Sequence, residues 1–119
     1  MSQRFIASGR LARTPEIRET ASGQPVANLR LLQTRGYKKG EQMVEVTEGF
    51  DCVTFDDRLI TAVIDPWCVK GQRVRIEGRF QTRVYEDEQG VTRYRDEVLL
   101  TGLRLLDRAT EASEMADAA

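Results

Sequence analysis

The stretch Arg73–Arg95, RVRIEGRFQTRVYEDEQGVTRYR, decides the fold. Val74, Ile76, Phe80, Thr82 and Val84 fall on one side of a two-residue alternation. Arg73, Arg75, Glu77, Arg79, Gln81, Arg83 and Tyr85 fall on the other. A period of two sustained over this length predicts a half-buried strand. Glu86 to Gly90 reads as a turn, and the return strand opens with Arg93, Tyr94 and Arg95. The exposed face of this hairpin is basic and ends in tyrosine. Such a face suits a partner that offers phosphates and flat bases, as single-stranded nucleic acid does.

Working outward, the return strand continues through Val98 to Leu106, with Gly102 marking a bulge where the alternation changes phase. Before the hairpin, Asp57 to Val69 is the one helix expected. Asp57 can cap its start, Leu59, Ile60, Val63, Ile64 and Trp67 fall at helical spacing, and Pro66 should end or distort it. A strand is expected from Val44 to Phe55, preceded by a polar loop, Gly36 to Glu41, that holds Tyr37 beside Lys38 and Lys39. Val26 to Gln33 form another apolar run. Residues 3–14 read as a first strand in which Gly9 suggests a bulge or tight bend. Glu16 to Glu19 continue as a short strand, with Ala21 to Gln24 as a turn. Five main strands with one helix between the third and fourth is the order of an OB-fold barrel, an all-β architecture here with long β-hairpin loops.

Composition narrows the chemistry. With 119 residues, 40% hydrophobic and 31% charged, the chain is expected to form one soluble domain. It has no apolar run long enough to span a bilayer, so no membrane partner is expected and the cytoplasm is the default. There is no histidine, and Cys52 and Cys68 form no metal or redox motif. That removes the usual zinc sites and the Ser-His and Cys-His pairs, so neither an enzyme nor a cofactor is expected. The net charge of −1 hides an asymmetry. Residues 1–106 sum to +2 and residues 107–119 to −3, which divides the chain into a slightly basic domain and a short acidic tail, expected to be disordered. The candidate phosphate contacts are Arg73, Arg75, Arg79 and Arg83 on the long strand, with Arg93 and Arg95 on its return. Arg4, Arg10, Arg30, Arg35, Lys38 and Lys39 extend the set.

Several motifs fall in a telling order. Gly9-Arg10-Leu11 precedes Thr14-Pro15-Glu16-Ile17-Arg18, and Gly23 precedes Val26-Ala27-Asn28-Leu29. Thr47-Glu48 lead into a strand ending at Phe55, and Lys70 to Gly78 read KGQRVRIEG. Thr82-Arg83-Val84-Tyr85, Gly90 and Arg93-Tyr94 complete the series. Over residues 3–106 this order and spacing resemble the bacterial single-stranded DNA-binding proteins. The resemblance implies a homotetramer that wraps single-stranded DNA during replication, recombination or repair. It places Tyr37, Phe55 and Tyr85 at base-stacking positions and Arg83 at a neighbouring basic one. The third strand departs from the family's Trp-x-Arg, reading Gly49-Phe50-Asp51. Phe50 then faces the side where the family makes subunit contacts and becomes the expected oligomer-interface residue. Replication or repair proteins are further partners the family implies. The chain nevertheless ends Met115 to Ala119 without the family's acidic Ile-Pro-Phe tip, a short tail that fits a plasmid- or phage-borne version of a nucleoid-associated protein.

Each candidate has a plainer use. The arginine face could be an ordinary solvated strand face paired with Glu77 and the acidic turn. Phe55 could fill the barrel, Tyr94, the fourth stacking candidate, could equally serve a cross-strand pair, and Trp67 belongs to core or interface sooner than to DNA. The rival function is a primosome-type accessory module that binds proteins, with weak or no DNA binding. The Gly49 and Asp51 departures favour it.

Overall fold

A computed structural model describes residues 3–106; the expected acidic tail lies outside them. Six strands form: β1 (Phe5–Leu11), β2 (Glu16–Glu19), β3 (Pro25–Lys39), β4 (Gln42–Thr54), β5 (Arg73–Glu86) and β6 (Thr92–Leu105). Five of them close a ring in the order β1-β5-β6-β4-β3, and β1 returns to β3 through Arg10 opposite Leu32 and Leu11 opposite Leu31. The short β2 lies outside the ring, paired to β3. All neighbours run antiparallel except β4 and β6, which meet in parallel at Cys52–Val98 and Val53–Leu99. A closed five-stranded barrel with one short helix between its third and fourth ring strands is an OB-fold.

The alternation read from the sequence supplies the core. Leu29, Leu31, Val74, Ile76 and Val98 point inward and are fully buried, with Ile60 and Ile64 of the helix plugging the barrel. Side chains of this kind each contribute about 1.5–3 kcal/mol on burial. Closing so small a ring forces strands together where a side chain cannot fit. A Cβ on Gly9 would lie 2.2 Å from the Leu32 carbonyl oxygen, and one on Gly78 would lie 2.2 Å from that of Leu99. Gly9 is therefore a point of close approach inside a strand that pairs without interruption from Phe5 to Arg10, in place of the expected bulge. The bulge expected at Gly102 does occur. Glu77 faces Gly102 while Gly78 faces Leu100, which leaves Thr101 as the extra residue.

The helical segment, α1, runs through Asp57–Leu59, Ile60–Ile64 and Asp65–Trp67 without a break. Its cap is Asp56, one residue before the expected Asp57: the Asp56 carboxylate accepts the Leu59 N–H at 3.2 Å. The middle turn is π-helical, the Asp65 N–H reaching back five residues to the Ile60 carbonyl. This widening lies immediately before Pro66, which has no N–H to donate and whose ring would press on the Ala62 carbonyl in a regular helix. The segment stops at Trp67, which is 63% exposed and so forms no part of the core.

Both long hairpins project beyond the barrel. The expected polar loop at Gly36–Glu41 is mostly strand, because β3 and β4 stay paired as far as Lys39 opposite Gln42. The two-residue turn left over, Gly40-Glu41, uses Gly40 at φ +64°, a conformation open to glycine. Continuous ladder hydrogen bonding outweighs the weak strand preference of Gly36 and the lysines. The other hairpin is tied at its tip by Asp87. Its carboxylate accepts the Gln89 and Val91 N–H groups at 2.9 and 3.0 Å and the Arg93 guanidinium at 2.9 Å.

Candidate nucleic-acid interface

Residues directly opposed in an antiparallel pair share a face of the sheet, and this sorts the candidates. On β5 and β6, Gln81 faces Glu97, Arg83 faces Arg95 and Tyr85 faces Arg93. All six therefore stand on the outer face. On β3 and β4, Arg30 faces Asp51, and the Arg95 guanidinium reaches Asp51 at 2.8 Å, which joins the two strand pairs into one surface. Phe55, just past the end of β4, lines a hollow on this surface with Arg18, Val53, Gln81, Arg83 and Glu97. Phe55 and Tyr85 are each 41% exposed, so an aromatic stands at either end of a strip of arginines.

The electrostatics of the strip are largely internal. The Arg83 guanidinium carbon lies 5.5 Å from the centre of the Tyr85 ring, within cation–π range. Its Nε is 3.7 Å from the buried Glu97 carboxylate, which also accepts a hydrogen bond from Gln81 at 3.1 Å. Asp51 accepts one hydrogen bond from Arg30 at 2.9 Å and holds Arg95 with its second oxygen. Partial burial alone would raise the Asp51 pKa, but the hydrogen bonds from Arg95 and Arg30 outweigh it and hold the carboxyl below its usual range. The same contact raises Arg95 above an already high value. At the hairpin tip the Arg93 hydrogen bond, followed by that from Val91, lowers the Asp87 carboxyl. The acidic turn thus spends part of its charge on fixing its own shape.

The remaining candidates are spread over other faces. Arg10, Arg35 and Arg73 line a second groove, between β1 and the β3–β4 ribbon, where Gln33 donates to the Ser8 carbonyl at 2.8 Å and Arg35 pairs with Glu48 at 2.9 Å. Tyr37 lies opposite Val44, on the side of the ribbon away from Arg30 and Asp51, with Lys38 and Lys39 beyond it at the tip. Arg75 and Arg79 keep to the outer face of β5, and Arg4 pairs with Glu77. Tyr94, 71% exposed, shares the opposite face of its hairpin with Val84 and so turns away from Tyr85. Phe50 points inward at the edge of the core, its ring 5.2 Å from Phe5 and 6.4 Å from Phe80. Sequence reasoning missed Arg18, which reaches the Phe55 hollow only because β2 folds onto β3. It also missed the position of Glu97 beneath Arg83. The alternation of Gln81 and Arg83 could have suggested a cross-strand carboxylate there, but not which one.

Comparison with known proteins bears on the fold and the family. Residues 2–106 match the single-strand binding protein family. The chain is 37% identical over 102 residues to the single-stranded DNA-binding protein of Rhizobium meliloti (strain 1021), covering 83% of this chain but 58% of that relative. It is 33% identical over 107 residues to single-stranded DNA-binding protein B of Bacillus subtilis (strain 168), covering 90% of this chain and 92% of the relative. A solved structure of a Plasmodium falciparum SSB in complex with single-stranded DNA has the same fold, with a TM-score of 0.81 at 22% identity over 90% of this chain and 97% of that one. Barrel, helix position and family match lead to one assignment: the chain belongs to the single-strand binding protein family.

Proposed function

We propose that this protein binds single-stranded DNA with little sequence preference and protects it during replication, recombination and repair. The observation that carries the reading is the outer strip on which Phe55, Arg83, Arg95, Arg93 and Tyr85 stand together. Aromatic faces there can take bases of any identity, and the arginines can take the phosphates. Tyr37, exposed beside Lys38 and Lys39 on the other hairpin, supplies a further stacking position along a wrapped path. The role proposed is binding, the part that exposed aromatics and arginines can play; among the described residues no group of three or more cysteine or carboxylate side chains could hold a metal. No helix among the described residues is long and apolar enough to cross a membrane; it is the proposed DNA-binding role that puts the protein in the cytoplasm. Self-association, as a tetramer, is part of the same proposal. The Phe5–Phe50–Phe80 cluster, with Phe80 still partly exposed at the barrel edge, supports it.

Anisotropy of labelled oligo(dT) at several salt concentrations tests this. Affinity should fall with salt, each contacted phosphate adding about −0.7 to the slope of log K against log salt. Tyr85→Ala should cost about 1–3 kcal/mol, roughly 5- to 150-fold in Kd. Binding indifferent to both salt and Tyr85 would refute the proposal. The rival reading, a protein-interaction module, draws on one observation: Asp51 occupies two of the strip's arginines. That module would leave oligo(dT) unbound in the same titration.

A further inference from the structure

Arg30, Gly49 and Asp51 stand on one face of the β3–β4 ribbon, and Asp51 takes a different guanidinium on each carboxylate oxygen, Arg30 at 2.9 Å and Arg95 at 2.8 Å. The absence of a side chain at position 49 matters to this arrangement. A Cβ built on Gly49 would lie 2.3 Å from Arg30 Nη2, 2.7 Å from Cζ and 3.0 Å from Nε. The Arg30 guanidinium therefore occupies the space above Gly49 that any larger residue would fill. The group packs against Gly49, an Nη1 N–H is held by Asp51, and the side chain remains 37% exposed toward solvent. Asp51, at 24%, is the more covered partner. A guanidinium fixed by its edge and backed on one side presents its other planar face outward, and such a face stacks on nucleobases.

We propose that Asp51 is a positioning residue that holds Arg30 flat over Gly49 as a base-stacking platform, so that one base of bound single-stranded DNA seats on an arginine in the middle of the strip. The proposal rests on the DNA-binding reading above and extends it, and it assigns an acidic residue a favourable part in binding a polyanion. That sign separates it from simple electrostatics, in which a carboxylate among arginines only repels phosphate and removing it tightens binding. Arg30 has five N–H groups and Asp51 uses an edge of the fork, so the outward face is kept for the base.

The test is anisotropy at one fixed salt concentration with oligo(dT) and an abasic oligomer of equal length, thermal melting confirming that each variant is folded. Asp51→Asn should weaken oligo(dT) binding on the order of five- to tenfold while the abasic oligomer binds as well as before or better. Arg30→Lys, which keeps the charge and removes the plane, should reproduce the selective loss even if Asp51→Asn is unstable. Tighter oligo(dT) binding by Asp51→Asn, or unchanged binding by Arg30→Lys, would overturn the platform while leaving the DNA-binding reading intact. A wild-type protein that binds neither oligomer would overturn both.

Discussion

At the scale of single residues, the outer strip is built from side chains that constrain one another. Arg83 is held between the Tyr85 ring and Glu97, and Asp51 fixes Arg30 and Arg95. Fixing rotamers in advance lowers the entropy lost when a flexible strand is captured. The two cysteines play no part in this surface. Burial is the main influence on both, pushing Cys52 up to about 12, with the nearby Asp51 charge adding to it, and Cys68 up to about 11. Since the thiolate is the reactive form, we expect iodoacetamide at neutral pH to modify neither cysteine in the folded protein and both in guanidinium. Mass spectrometry of the intact chain reads the outcome, and rapid native labelling of Cys52 would contradict its place in the core.

At the scale of elements, the barrel depends on two glycines that let strands approach closely. Gly9→Ala and Gly78→Ala would each drive a Cβ to 2.2 Å from a backbone oxygen, contacts that no side-chain rotation relieves. We expect each to destabilise the fold by about 2 kcal/mol or more, a loss of roughly 8–16 °C in Tm. Gly102→Ala, with nothing within 4 Å of its added Cβ, should melt near the wild type. Calorimetry of the three variants checks the contrast. These elements also mark how far the sequence could be read. The Arg73–Arg95 alternation and the single helix position gave the barrel order, because period and punctuation are local properties. Local signals failed where pairing partners decided the result. Gly36 to Lys39 look like a loop until β4 pairs with them, and Gly9 looks like a bulge until β3 is seen against it. The ion triad around Asp51 depends on β4 meeting β6 in parallel, a contact between residues far apart in the chain, and no spacing rule announces it.

At the scale of the whole molecule, the barrel gathers arginines on two of its surfaces, the strip from Phe55 to Tyr85 and the groove of Arg10, Arg35 and Arg73. A near-neutral chain can then attract a polyanion, since local potential outweighs net charge at short range. On the proposal above, single-stranded DNA lies along the outer strip, with bases against Phe55 and Tyr85. The most direct measurement is photocrosslinking to a single strand carrying iododeoxyuridine, with the adducts located by mass spectrometry. We expect adducts on Tyr85 and Phe55 and none on Tyr94, which the hairpin turns to its other face. Adducts confined to Tyr94, or absent from both Phe55 and Tyr85 while the DNA is bound, would contradict it.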